Sequence, residues 1–281
     1  MTHPLYPCLW FDGKAKEAAD FYCAAFSNSK ITHDNPVVVN FELDGCTIMG
    51  LNGGPMFKPN PSISLFVMCE TDEEINSLWA KLAEGGFIMM PLDKYDWSER
   101  YGFFQDKFGV SWQLMKGTYS SVNQKITSCF LFVGGSYGKA EAAVNYYTRV
   151  FPASSISGIK LYEESEGAEM AGKVKHSQFI LNNTVFMAMD GFGQHEFAFS
   201  EGVSLVVNCD TQDEIDYYWN TLTSDGGAES MCGWLKDKFG VSWQIVPSMI
   251  GELMSDPEKG QRVMQEVLKM KKLDIARILN A

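Results

Sequence analysis

The sequence predicts an α+β protein made of two tandem copies of one domain, each built from two βαβββ modules, followed by a C-terminal helix. Three observations carry this. The segment Asp106-Lys107-Phe108-Gly109-Val110-Ser111-Trp112-Gln113 recurs letter for letter from Asp237 to Gln244, and chance does not produce such an identity in 281 residues. Upstream, Ser64 to Thr71 answers to Ser204 to Thr211, and Ala18 to Phe26 answers to Ala143 to Phe151, in the same order. The repeat is therefore domain-sized and too long for a solenoid unit. Within each copy, strand-like and helix-like periodicities then alternate.

The elements follow in order. Lys14 to Phe26 places Ala15, Ala18, Ala19, Tyr22 and Phe26 on one helical face. Val37 to Leu43 alternates with period two and meets Asp44-Gly45, a strong hairpin turn; Asn182-Asn183 is its counterpart downstream. Thr71 to Ala83 opens with a capping box, Thr71 and Glu74, and continues with the apolar stripe Ile75, Leu78, Trp79 and Leu82. The second copy repeats this with Thr211 and Glu214, then Ile215, Tyr218, Trp219 and Leu222. Met49, Leu51, Trp112 and Leu114 fall at core or cavity positions by strand alternation. The polar stretch Thr118 to Gln124 lacks periodicity and marks the boundary. The copies thus occupy residues 1–118 and 124–250, with an extension over 251–281. The first copy carries an extra stretch, about Met90 to Tyr101, that the second lacks.

From Asp256 onward, Val263, Val267, Met270 and Ile278 recur near helical spacing among Arg262, Lys269, Lys271, Lys272 and Arg277. The plain reading is a helix docked by its apolar face, with basic residues suiting its C-terminal half. The sharper one is a basic helix that meets a partner or a membrane.

Bulk properties narrow the function classes. A formal net charge of −12 opposes nucleic-acid and anionic-membrane partners. No apolar run approaches the roughly 20 residues that span a bilayer, and the N-terminus lacks a signal-peptide pattern. Seven cysteines without a C-x-x-C pair suit reduced thiols. The expectation is a cytoplasmic protein.

Two stretches resemble a known family. Cys8-Leu9-Trp10-Phe11-Asp12-Gly13-Lys14-Ala15 with Glu17 to Tyr22 is similar to the opening of PhnB-like proteins. Trp97 to Gln113 is similar to their closing strand pair. These proteins belong to the vicinal oxygen chelate superfamily, with glyoxalase I, extradiol dioxygenases and bleomycin-resistance proteins. Cys232 to Gln244 and the tail around Leu268 to Ala276 resemble a branch labelled 3-demethylubiquinone-9 3-methyltransferase. The resemblance implies two tandem vicinal oxygen chelate domains with glyoxalase-like mixed sheets. The methyltransferase label finds no support in the glycines. Gly50 to Pro55, the one cluster near a strand, is followed by loop residues and reads as a hairpin loop rather than a strand-to-helix donor turn.

Metal-dependent members of the superfamily draw His and Glu ligands from four strands. Carried onto this chain, the closing-strand glutamate falls on Gln113 and Gln244. Its partner in the other module falls near Met49 and Met187. The first-strand ligand falls near Pro7 and near Ser128 or Cys129, and the third-strand histidine near Ser62 to Ser64 and near Gly202 to Ser204. None of these is a carboxylate or imidazole, so no metal ligand is expected and no cofactor is predicted; a divalent metal is disfavoured. His3, His33, His176 and His195 lie off these positions.

The expected partner is a small organic molecule, held in an apolar pocket. Its candidate residues are Trp10, Met49, Trp97, Gln113, His176, Met187, Trp234 and Gln244. Each also has a plainer reading: tryptophans more often fill cores, and His176 in an alternating strand suits a half-buried, hydrogen-bonded histidine. A buried glutamine, however, must find partners, and in a pocket the partner can be a ligand. Fifteen methionines fit an adaptable cavity. The competing readings are a lyase, isomerase or dioxygenase with an altered or metal-free site, and a copy kept only to complete its neighbour. Duplication also predicts an intramolecular pseudo-dimer of the two copies, with homodimerisation of whole chains left open.

Overall fold

The computed structural model describes residues 3–256 and 258–281. Four modules follow one another. The first is β1 (Tyr6–Phe11), α1 (Ala15–Ala25), β2 (Ser29–Asp34), β3 (Val38–Leu43) and β4 (Cys46–Asn52). The second is β5 (Ile63–Cys69), α2 (Asp72–Leu82), β6 (Phe87–Tyr95), β7 (Ser98–Gln105) and β8 (Ser111–Lys116). The third is β9 (Ile126–Phe132), α3 (Ala140–Val150), β10 (Ser155–Leu161), β11 (Val174–Leu181) and β12 (Thr184–Asp190). The fourth is β13 (Val203–Cys209), α4 (Gln212–Thr223), β14 (Ala228–Glu229), β15 (Trp234–Lys236) and β16 (Ser242–Pro247).

Local chemistry accounts for the boundaries. Asp44 and Gly45 both take positive φ, 47° and 81°, as the two-residue turn between β3 and β4 demands; Asn182 and Asn183 do the same at 47° and 63°. Thr71 caps α2 by accepting from the Glu74 amide at 3.1 Å, and Thr211 caps α4 from Glu214 at 3.2 Å. The extra stretch of the first copy is the long β6–β7 hairpin, which the fourth module reduces to the short β14 and β15.

The sheets do not follow the repeat boundaries. One eight-stranded sheet runs β14-β15-β16-β13-β1-β4-β3-β2 and the other β10-β11-β12-β9-β5-β8-β7-β6. Each sheet therefore takes one module from each copy. The joins are antiparallel, β1 on β13 (Cys8 opposite Ser204) and β5 on β9 (Ser64 opposite Cys129). A single apolar core fills the helix-bearing sides of both sheets, with Tyr22, Trp112, Tyr147 and Trp243 wholly buried in it. Strand alternation then leaves each sheet an outer face turned away from its helices.

Two expectations need correction. Residues 251–281 do not form one basic helix. They form three short ones, α5 (Ile250–Ser255), α6 (Gly260–Val267) and α7 (Ile275–Leu279). The break has a cause: after α6 the chain gives backbone carbonyls to the fourth module, Met270 to the Cys232 amide at 2.7 Å and Lys271 to Gly233 at 2.8 Å. Val263, Val267, Met270, Leu273 and Ile278 are buried as one small cluster, so the docked reading describes the segment. Four of its five named cations are spent on neighbours: Lys271 on Glu229, Lys272 on Asp216, and both Lys269 and Arg277 on Glu266. No described helix is long and apolar enough to cross a membrane.

The second correction concerns Gly50 to Pro55. This segment is not a hairpin loop, because β4 and β5 lie in different sheets and the chain crosses between them here.

Candidate functional site

Met49 and Gln244 lie on the outer face of the first sheet, and Met187 and Gln113 on that of the second, while Trp112 and Leu114 belong to the helix-side core. Across the first sheet, one row of paired residues reads Asn40, Met49, Cys8, Ser204 on β3, β4, β1 and β13. Across the second, the matching row on β11, β12, β9 and β5 reads Gln178, Met187, Cys129, Ser64. The closing strands add Gln244 to the first and Gln113 to the second. Their amides reach the row: Gln244 Nε2 donates to Ser204 Oγ at 2.9 Å, and Gln113 Nε2 to Ser64 Oγ at 2.8 Å. Both faces thus carry the same four residue types, Cys, Met, Ser and Gln, at equivalent places. Pro7, the position expected for the first-strand group, points to the other side of the sheet; the residue on the face is Cys8. A one-residue offset in a strand exchanges faces, which is why the register alone decided it.

This set does not fit the superfamily's usual metals. A hydroxyl, an amide and a thioether are weak ligands for Zn or Mn, and only the thiol could bind as an anion. Burial works against that: it pushes the Cys8 and Cys129 thiols up to about 12, with the hydrogen bonds of the adjacent glutamines only partly opposing it. Among the described residues, no three His, Cys, Asp or Glu side chains converge.

The two faces differ in how they are filled. On the second sheet, Tyr101 donates to Gln113 Oε1 at 2.6 Å, completing that amide's partners. Phe66, Met68, Cys129, Val185 and Met187 are buried there together, with Val122 of the inter-repeat linker laid over them. This face is a closed, methionine-rich core. On the first sheet the place of Tyr101 belongs to Cys232, whose side chain packs with the C-terminal cluster instead. Met49, Leu51, Trp10, Trp234, Asn40, Asn208 and Tyr6 are all half-buried, and Asn40 Oδ1 is buried with no hydrogen-bond partner among the described residues. Trp10 stands edge-on to Trp234 at 5.7 Å and to Phe57 at 5.1 Å, and its indole nitrogen donates to Gly54 O at 2.7 Å. The first face is therefore left half-exposed, with an aromatic cluster at one side.

The candidate residues consequently separate. Trp10, Met49, Trp234 and Gln244 come together on the first sheet, and Gln113 and Met187 on the second. Trp97 lies apart on the surface, 54% exposed and stacked on Tyr95 at 5.0 Å. His176 sits on β11 opposite Lys160, with burial holding its imidazole below the ordinary range, so it is neutral at pH 7. Cys8 and Asn40 were missed, while Ser204 lies within the third-strand position carried over from the superfamily. Alternation along β1 could have found Cys8, but no local signal marks Asn40.

A cavity of about 600 Å³ lies elsewhere, between the sheets, where the first strands of the two repeats and their two hairpin turns meet. None of the eight candidate residues lines it.

The topology and the paired-module sheets define a vicinal oxygen chelate fold. Glyoxalase I from Zea mays shares it, with a TM-score of 0.60 over 91% of this chain and 97% of that one at 8% identity. More narrowly, the chain belongs to the PhnB-like family described as 3-demethylubiquinone-9 3-methyltransferase, whose model matches twice, at residues 3–115 and 124–246. A PhnB protein from Bacillus cereus is 37% identical over 40% of this chain and 98% of its own, with a TM-score of 0.37. No curated protein matches the chain.

Proposed function

We propose that the protein binds a small organic molecule on the outer face of its first sheet, without the metal used elsewhere in the superfamily. The observation that carries this reading is the difference between two otherwise equivalent faces. Both hold Cys, Met, Ser and Gln, but the second is covered by Tyr101, Val122 and its own methionines, while the row on the first is left half-exposed. Half-buried Trp10, Trp234, Met49 and Leu51 offer apolar contact there. The buried Asn40 Oδ1 offers an acceptor that the protein leaves unused, which favours a ligand with a hydrogen-bond donor. A pocket that is mostly apolar with a few placed polar groups is what orients a small molecule. The family's description as a methyltransferase is not carried into this reading, since Gly50 to Pro55 leads from one sheet to the other and forms no strand-to-helix cradle for a donor.

The test is a thermal-shift screen of small apolar compounds, with and without a donor group, followed by tryptophan fluorescence on any hit. A binder should quench or shift the emission of the wild type, and Trp10→Leu and Trp234→Leu should remove that response. Stoichiometric divalent metal in the purified protein, lost together with ligand binding on chelation, would refute the metal-free reading.

A further inference from the structure

We propose that the cavity at the seam of the two repeats is a second, separate small-molecule site, built for an amphiphile with one cationic end. The geometry begins with the module exchange. Because β1 joins β13 and β5 joins β9, the starts of β1 and β9 face each other between the sheets. The β3–β4 and β11–β12 turns flank them, and the linker from Tyr119 to Lys125 runs along one side. A single repeat holds only half of this lining, so the site exists only in the tandem chain.

The lining is mixed, and its apolar part comes from Leu5, Ile48, Leu65, Ile126 and Phe186. At its inner end stands Ser128, paired with Leu65 on one side and Phe186 on the other. Ser128 is only 5% exposed, yet its hydroxyl makes no hydrogen bond among the described residues and lines the cavity. Among the described residues Ser111 and Ser242 also have unpaired hydroxyls, but those are sealed in the protein, whereas Ser128 faces the cavity. An unsatisfied hydroxyl at the bottom of a partly apolar cavity is a place for a polar atom of a ligand.

The rim decides the charge. Lys125 is taken up by Glu74 and by Met68 O at 2.6 Å, and His3 by Asp210 at 2.7 Å. Asp44 remains, lining the cavity with no ion pair or side-chain hydrogen bond among the described residues. Two of the polar liners are engaged within the protein: Gln124 bonds both backbone groups of Val185, and Thr184 accepts from the Leu5 amide. One free carboxylate at the mouth of a partly apolar cavity selects a cation with a hydrocarbon body, in a chain whose net charge of −12 draws cations toward it.

The experiment titrates the full-length chain by calorimetry with n-octylammonium, n-octanol and n-octanoate. Octylammonium should bind at one equivalent per chain and more tightly than octanol, with octanoate weakest. Thr47→Trp, a change at the exposed mouth that leaves the core intact, and Ser128→Phe, which fills the inner end, should each weaken binding about tenfold or more. Asp44→Asn should cost about three- to tenfold for octylammonium and nothing for octanol. Met49→Trp, on the outer face of the first sheet, should leave this binding unchanged. The proposal is overturned if wild type binds none of the three probes, or if Thr47→Trp binds octylammonium as wild type does. Equal affinity for octanoate and octylammonium overturns the cationic assignment.

Discussion

The hydroxyl of Tyr22 donates to the carboxylate of Asp106 at 2.8 Å, joining helix α1 of the first module to the turn between β7 and β8 of the second. The same oxygen accepts from Trp112 Nε1 at 2.8 Å, while the other takes the amides of Phe108 and Val110 at 2.8 and 3.1 Å. The second copy reproduces the set with Tyr147, Asp237, Trp243, Phe239 and Val241. The octapeptide repeated without change is thus a buried carboxylate clasp. It needs Asp for four donors, Gly for the positive φ of Gly109 and Gly240, and Trp for its indole N–H. The repetition of Asp, Gly and Trp is explained by folding.

Removing the carboxylate leaves four buried donors unpaired. Asp106→Ala and Asp237→Ala should each destabilise by about 3–5 kcal/mol, whereas Tyr22→Phe, which removes one donor of four, should cost about 1 kcal/mol. Urea unfolding checks both. Equal losses for Tyr22→Phe and Asp106→Ala would mean that the hydroxyl, and not the shared carboxylate, holds the clasp.

Four buried thiols carry a pH signature. Burial pushes Cys8, Cys69, Cys129 and Cys209 up to about 12. In the unfolded chain a thiol loses its proton near pH 8.5, so between that pH and about 12 the folded state binds more protons than the unfolded one. Stability should be intact below pH 8 and fall as pH rises through this window. The slope of unfolding free energy against pH should flatten in the Cys8→Ala/Cys129→Ala double variant. At pH 8 the same four thiols should resist a disulfide reagent in the native protein, and half-exposed Cys23 and Cys232 should react first.

Gly53 supports the aromatic cluster of the proposed first-face site. A Cβ there would stand 2.2 Å from the Trp10 indole ring. Gly53→Ala should therefore displace Trp10 from Phe57 and Trp234, shift its emission to the red, and weaken any ligand of the first face. Its effect on octylammonium at the seam should be nil, because Trp10 does not line that cavity. An unchanged spectrum would place Trp10 outside the cluster.

What could be read in advance was whatever is local. The Asp44-Gly45 and Asn182-Asn183 turns, the Thr71 and Thr211 caps and the helical stripes are each dictated by a few adjacent residues. The match of β1 to β13 is not. Strand edges carry no address, and nothing near Cys8 names Ser204, nearly two hundred residues away, as its neighbour. The candidate site shows the same division. Gln113 and Gln244 were legible because their octapeptide recurs, but Cys8 was placed one residue off at Pro7, and Asn40 has no motif at all. The seam cavity was invisible for the strongest reason: Ile48, Leu65, Ser128 and Phe186 come from four strands, Leu5 from the segment before β1, and they meet only after both sheets form. The C-terminal segment was read as one helix because its apolar spacing is helical. The chain gives up helix after Val267 for backbone bonds to Cys232 and Gly233.

The exchange of modules leads to the last expectation. Cut between Asn123 and Gln124, the chain yields two halves that each expose two strand edges, β1 and β5 in one, β9 and β13 in the other. Each edge is a full row of unpaired backbone groups beside apolar residues, a state that strands do not tolerate singly. The proposed pseudo-dimer then has a definite behaviour. Each half alone should self-associate, since β5 of one first-repeat molecule can take the place of β13 beside β1 of another. Mixed, the halves should form a one-to-one complex with the far-ultraviolet spectrum and urea midpoint of the intact chain at high concentration. Dilution should lower that midpoint, because the linker no longer supplies an effective concentration. Sedimentation and denaturation at two concentrations decide it. Two stable monomers with no affinity for each other would mean that the inter-repeat strand pairs contribute nothing to folding, and the pseudo-dimer would have to be abandoned.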